Sequence, residues 1–136
     1  MKRDKHDEIL KEVLDEIETA SKDKRGLVAH QRRLAFSLSL GAANLLELYF
    51  HKLDIAKEGS SINHVLFKRK KERISEGLER QITSLINSIP KIDDIIQILI
   101  EIEKKRDDLA YGAPSTEKIL QEKINLFFKL KEMVEC

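Results

Sequence analysis

Apolar positions recur at helical spacing along almost the whole chain. Leu10, Val13, Leu14, Ile17 and Ala20 form one stripe, with acids and lysines in the turns between them. Residues three and four apart share one face of a helix, so an amphipathic helix is predicted over about 3–20. The polar stretch Ser21 to Gly26 interrupts the pattern and fits either a loop or a polar part of one longer helix. A long helix follows over roughly 27–56. Its Leu40 to Phe50 run is apolar nearly all round, which predicts burial on more than one side. Gly41, Ala42 and Ala43 are small together and admit another helix at close range. Lys57 to Ser61 is the clearest loop, and Gly59 suits a helix end.

Ile74, Leu78, Ile82 and Leu85 predict a third helix over about 63–88, ended by Ser88-Ile89-Pro90 because a residue before proline leaves helical geometry. Ile92 to Ala110 partly alternates, as a strand does. Helical spacing at Ile92, Ile95, Ile96, Leu99, Ile102, Leu109 and Ala110 outweighs this, and no other segment offers a strand to pair with. Gly112 and Pro114 stop the helix. Ser115 or Thr116 caps the last one, Glu117 is favourable in its first turn, and Leu120, Ile124, Phe127, Leu130 and Val134 face inward. The expected fold is all-α: an antiparallel up-and-down helical bundle of four main helices plus the N-terminal amphipathic helix. One domain is expected over 1–136, with 1–26 as the N-terminal helix and connection and 27–136 as the core bundle. Ile98, Ile100 and the Leu40 to Phe50 run exceed what one small bundle needs, and the excess predicts a homodimer face.

Charge narrows the function. Lys and Arg total 25 against 24 Asp and Glu, a net charge of +1, so a wholly basic nucleic-acid binder and an acidic tail are both excluded. Cys136 is the lone cysteine, which excludes an internal disulfide and a multi-cysteine zinc site. Met1 to Asp7 carries charges with no apolar segment behind it, and no apolar run is long enough to span a bilayer. A cytoplasmic protein without membrane association is therefore expected. There is no phosphate loop or dinucleotide glycine fingerprint. Glu47 and His51 lie four apart with no second pair to build a di-iron site, so they read as a polar edge on a packed helix, and no metal or cofactor is expected. His6 and His30 lie among polar residues and are expected to face solvent.

One segment stands out: Arg106-Asp107-Asp108-Leu109-Ala110-Tyr111-Gly112. Arg106 extends the stripe of Ile92, Ile95, Leu99 and Ile102. An arginine there needs a partner or a cleft. Tyr111 lies about 140° round an ideal helix from it. The two side chains converge only across a dimer cleft, or if the helix ends near Gly112. A basic cluster, Lys68, Arg69, Lys70, Lys71 and Arg73, reads as a solvated face or a nucleic-acid contact. Phe67 precedes it and no aromatic lies within it.

These residues resemble the HEPN family (higher eukaryotes and prokaryotes nucleotide-binding), whose signature is Arg, a polar residue, three more residues, then His. Arg106 and Asp107 stand at the first two positions and Tyr111 stands where His is usual. Gly41 to Lys52 resembles the family's helix with a Glu followed by an aliphatic–Lys ending, and Ser61-Ile62-Asn63-His64 the histidine that opens the next helix. The resemblance spans about 25–134. It implies a helical homodimer that contacts nucleotide or RNA phosphate, in the manner of metal-independent ribonucleases of toxin–antitoxin or RNA-defence systems. Arg106 and Tyr111 would be the catalytic positions. Arg106, Asp107, His64 and Lys68 would contact phosphate. Arginine suits a bidentate phosphate contact. Tyrosine, with a reference pKa near ~10, is a poor base at neutral pH but can donate a hydrogen bond or stack on a base. The departure at Tyr111 therefore points to phosphate contact with weak or absent cleavage. The other expectation is a non-catalytic module that pairs with another protein, a nucleotidyltransferase among the partners the family implies.

Overall fold

The computed structural model describes residues 3–135. Expectations that rest on Met1, Lys2 and Cys136 lie outside them. Leu10, Val13, Ile17 and Ala20 are all buried, and they define the inner face of α1 (Arg3–Lys22). Gly26 takes a φ of +89°, where a side chain is strained, and closes the loop between α1 and the next segment. A 3-10 turn, Leu27–His30, leads into α2 (Gln31–Lys52). After the loop and a second 3-10 turn, His64–Lys68, come α3 (Lys71–Glu79), α4 (Ile92–Glu103), α5 (Arg106–Tyr111) and α6 (Glu117–Glu135).

An antiparallel helical bundle is present as expected, but its four helices are α1, α2, α4 and α6: the N-terminal helix, expected in addition to the four, takes the place of the predicted third helix. Residue pairs set the directions. Gly41 lies against Val13, and His30 meets Glu16, so α1 and α2 run oppositely. Tyr49 Oη donates to Pro90 O at 3.0 Å and Ser39 Oγ to Glu103 at 2.7 Å, so α4 runs against α2. Lys123 Nζ donates to the carbonyl of Glu101 and, at 2.7 Å, to that of Lys104, while Asp94 and Gln97 lie beside Lys129 and Met133, so α6 runs against α4. These last bonds also satisfy carbonyls that the end of α4 would otherwise leave orphaned. The small residues act as expected: a Cβ on Gly41 would lie 2.8 Å from Phe127 Cε2 and 3.0 Å from Val13 Cγ1.

The predicted third helix, 63–88, is broken. Only Lys71–Glu79 is α-helical. Lys57 N donates to Gln81 O at 2.9 Å and Thr83 N to Ile55 O at 2.8 Å, so one short antiparallel bridge draws the chain out of helical geometry. Ile82 is buried by this bridge, while Leu85, expected on the inner stripe, is 75% exposed. The helix predicted over 92–110 is also broken. Lys105 adopts φ +61°, a left-handed conformation costing about 1–2 kcal/mol for a residue with a Cβ, and the chain restarts as α5. Helical spacing survives on both sides of this break, so periodicity does not reveal it.

A further expectation, that His6 and His30 face solvent, is overturned. His6 has no exposed surface and His30 is 5% exposed. His30 Nε2 lies 2.7 Å from Asp23 and its Nδ1 3.2 Å from Glu16, tying the end of α1 to the start of α2. Hydrogen bonds from Arg25, and then from His30, hold the Asp23 carboxyl well below the usual carboxylate range. The apolar excess read as a dimer face is largely used inside one chain. Gly41 to Phe50 and Ile98 are buried and Ile100 is half-buried, while Leu40 remains exposed. Among the described residues no helix is long and apolar enough to cross a membrane.

Candidate functional site

Phe36, Ser39, Leu40, Ala43, Asn44 and Glu47 lie three and four residues apart on α2 and so share one face. This face forms one wall of a cleft of about 390 Å³. The segment Ser61 to His64 forms the second wall, and Arg106 of α5 closes the end.

The loop segment is held by the helix it crosses. Glu47 Oε1 accepts from Ile62 N, and Glu47 Oε2 lies 3.1 Å from His6 Nε2. His6 Nδ1 donates to Asn44 Oδ1 at 2.7 Å, because Asn44 Nδ2 donates to Leu40 O and thereby turns its oxygen toward the ring. Asn63 Oδ1 accepts from Val65 N at 2.9 Å and caps the 3-10 turn that begins with His64. His64 Nδ1 lies 2.7 Å from Glu103 Oε1. Ser39 Oγ donates to the other oxygen, Glu103 Oε2, also at 2.7 Å. Glu103 is buried at the end of α4, with both carboxylate oxygens engaged.

Arg106 does what an arginine on an apolar stripe must. Its side chain is only 12% exposed, and Cζ lies 4.9 Å from the centre of the Phe36 ring. NH1 donates to Asp107 Oδ1 at 2.9 Å, whereas Nε is buried with no hydrogen-bond partner. Lys68 Nζ donates to Asp107 Oδ2 at 2.6 Å. The hydrogen bond from Lys68, joined by that from Arg106, holds the Asp107 carboxyl below its ordinary range against a smaller opposing effect of burial. A second cleft of about 450 Å³ begins on the other side of Arg106, where Lys68, Arg69, Lys104 and Lys105 gather around Asp107 and Asp108.

The break before α5 decides how Tyr111 relates to Arg106. Tyr111 is 71% exposed, and its ring meets Phe36 edge-on at 5.8 Å between centres. Arg106 and Tyr111 thus converge on one aromatic ring instead of on each other. Gln31 fixes this arrangement from α2: its amide donates to Leu109 O and Ala113 O and accepts from Ser115 N. Of the residues singled out from the sequence, Arg106 and His64 line one cleft, and Lys68, Asp107 and Arg106 form one ion-pair cluster. Tyr111 sits at the rim. The residues that sequence reasoning missed are Phe36, Ser39 and Glu103. Glu103, an acid directly after Ile102 of the inner stripe, is a local sign of a buried polar partner. Among the described residues no group of three or more His, Cys, Asp or Glu is placed to hold a metal ion.

No family model matches this chain, and no solved structure matches it. Among curated proteins the chain is similar to alpha-latrotoxin-Lg1a of Latrodectus geometricus, at 32% identity over 90 residues. Those residues are 64% of this chain and 6% of the toxin, so the chain spans a small fraction of that protein's length.

Proposed function

We propose that this chain is a HEPN-like domain that contacts nucleotide or RNA phosphate through Arg106 and acts as a homodimer in RNA defence or a toxin–antitoxin pair. The observation that carries this reading is the Arg106 guanidinium, held on Phe36 between two clefts with its Nε donor unsatisfied. A buried donor without a partner is costly, and a phosphate oxygen supplies the acceptor. Lys68, Arg69, Lys104 and Lys105 line the second cleft together with Glu101, Glu103, Asp107 and Asp108, and they offer further phosphates individual cationic contacts within a mixed-charge surface. Tyr111 and Phe36 add exposed aromatic surface for a base. Fluorescence anisotropy with a labelled single-stranded RNA tests the reading. Arg106→Ala is expected to weaken binding about tenfold, equivalent to ~1.4 kcal/mol, without loss of helicity. Unchanged affinity, or no binding by the wild type at low salt, refutes it.

A second reading is a non-catalytic module that binds another protein. Phe36, Leu40 and Tyr111, at 40%, 48% and 71% exposure, surround an arginine, the residue mix of interaction hot spots. Both readings allow a dimer, so RNA affinity separates them and sedimentation tests the dimer itself. A dimer at micromolar concentration that Leu40→Glu dissociates, with no RNA affinity, favours this second reading.

A further inference from the structure

The cleft that Arg106 closes also holds an oriented imidazole, and nothing in the phosphate contact requires one. His64 Nδ1 faces a carboxylate whose second oxygen is already taken by Ser39 Oγ. A carboxylate only accepts, so Nδ1 carries the proton and the neutral ring keeps its lone pair on Nε2. Nε2 is on the opposite edge of the ring from buried Glu103. It has no partner among the described residues, and the side chain is 27% exposed. An acid that orients a base, the base, and a cation for developing charge are the three parts of a metal-free phosphoryl-transfer site.

We propose that His64, oriented by Glu103 and Ser39, is the proton-transfer residue of an RNA-cleaving site in this cleft, a role that Tyr111 does not fill. The proposal rests on Arg106 contacting RNA phosphate. In the step itself, His64 Nε2 takes the proton of a ribose 2′-hydroxyl. A bond forms from O2′ to phosphorus while the bond from phosphorus to O5′ breaks. Arg106 offsets the charge on the non-bridging oxygens. The departing O5′ takes a proton from water, and the imidazolium returns its own to solvent. The products are a 2′,3′-cyclic phosphate and a 5′-hydroxyl strand, with no oxidant, metal or cofactor consumed. His64 and Arg106 are catalytic residues on this account, and Glu103 is a positioning residue.

The test uses the full chain, a fluorescein-labelled single-stranded RNA in EDTA, and a matched 2′-deoxy strand. The wild type is expected to release cyclic-phosphate ends from the RNA and to leave the deoxy strand intact. His64→Ala should lose about 10²-fold or more in cleavage rate while its RNA affinity stays within about threefold, and added imidazole should restore part of the rate. His64→Gln, close in size, should be as inactive and guards against misfolding. Glu103→Gln should lose about 10- to 100-fold in rate, again without loss of affinity. Three results overturn the proposal: a wild type that binds RNA but does not cut it, a His64→Ala protein that cuts like wild type, or a loss that imidazole does not restore. The first of these leaves phosphate contact standing. A wild type that does not bind RNA removes both readings together.

Discussion

Truncating His6 to Ala removes the most enclosed polar side chain among the described residues. The imidazole has no exposed surface; Nδ1 donates to Asn44 Oδ1 at 2.7 Å, while Nε2 lies 3.1 Å from Glu47 Oε2 without a hydrogen bond between them. Removing it has three consequences. Asn44 Oδ1 loses its donor, a cost of about 1–3 kcal/mol for a buried group. Glu47 keeps Ile62 N on one oxygen, but its other oxygen becomes an uncompensated buried charge. Removing one member of a well-formed buried ion pair costs about 3–5 kcal/mol, and the cost is smaller here because Glu47 Oε2 makes no hydrogen bond to the ring. The missing ring also leaves a void beside His51, whose ring centre is 5.6 Å away. Asn44 and Glu47 line the cleft, so water reaches them and reduces the sum. The expected net loss is about 3–5 kcal/mol, a third to a half of a typical domain's stability and roughly 10–15 °C in Tm. Urea unfolding followed by far-ultraviolet circular dichroism measures it. Glu47→Gln in the His6→Ala background removes the charge while keeping an acceptor for Ile62 N, and it should recover at least about 1.5 kcal/mol. A His6→Ala loss under about 0.5 kcal/mol, as for a solvent-facing residue, refutes the reasoning. So does a cycle that is additive within about 0.5 kcal/mol.

Gly41→Val drives branched methyls into Phe127 and Val13, and it should cost about 2–3 kcal/mol in the same assay. Glu117→Ala removes a carboxylate that accepts from Leu27 N and Val28 N, at 2.9 Å each, and the loss should be about 1–2 kcal/mol with faster amide exchange at those two residues. Asp107 has a lowered folded pKa, so its ion pairs are complete above the ordinary carboxylate range and are lost as pH falls through the depressed folded value. Its carboxyl carbon should titrate by NMR below the usual carboxylate range, and Lys68→Ala should move the midpoint up. Asp107→Asn releases Lys68 and Arg106 from an exposed pairing and should raise affinity for single-stranded RNA several-fold at low salt. Weaker binding would show instead that Asp107 positions Arg106.

Much of the scaffold is legible in the spacing of apolar residues. Leu10, Val13, Ile17 and Ala20, the Gly41 to Phe50 run, and Leu120, Ile124, Phe127, Leu130 and Val134 are buried where helical periodicity puts them, and Thr116 caps α6 through Ile119 N as expected. The position of Arg106 on an apolar stripe foretells a cleft, because a guanidinium cannot be buried without partners. Two helices are misjudged in extent for different reasons. The 63–88 segment yields to two backbone hydrogen bonds with residues 55–57. The 92–110 segment turns at Lys105, where the carbonyls at the end of α4 find Lys123 of α6. Neither partner is near in sequence.

The amino-acid sequence by itself determined that the chain is all-helical, which faces are buried, and that Arg106 would be an arginine held against apolar surface. These follow from local spacing, since a helix repeats every 3.6 residues whatever lies across from it. Only the tertiary structure decided that His6 and His30 are interior, that Arg106 and Tyr111 meet on Phe36, and that His64 is oriented by Glu103 and Ser39. The physical reason is distance along the chain. His6 finds Asn44 across 38 positions, His64 finds Glu103 across 39, and Ser39 finds Glu103 across 64. A buried polar group is satisfied by whatever donor or acceptor the packed helices bring opposite it, and no periodicity in the sequence carries that choice.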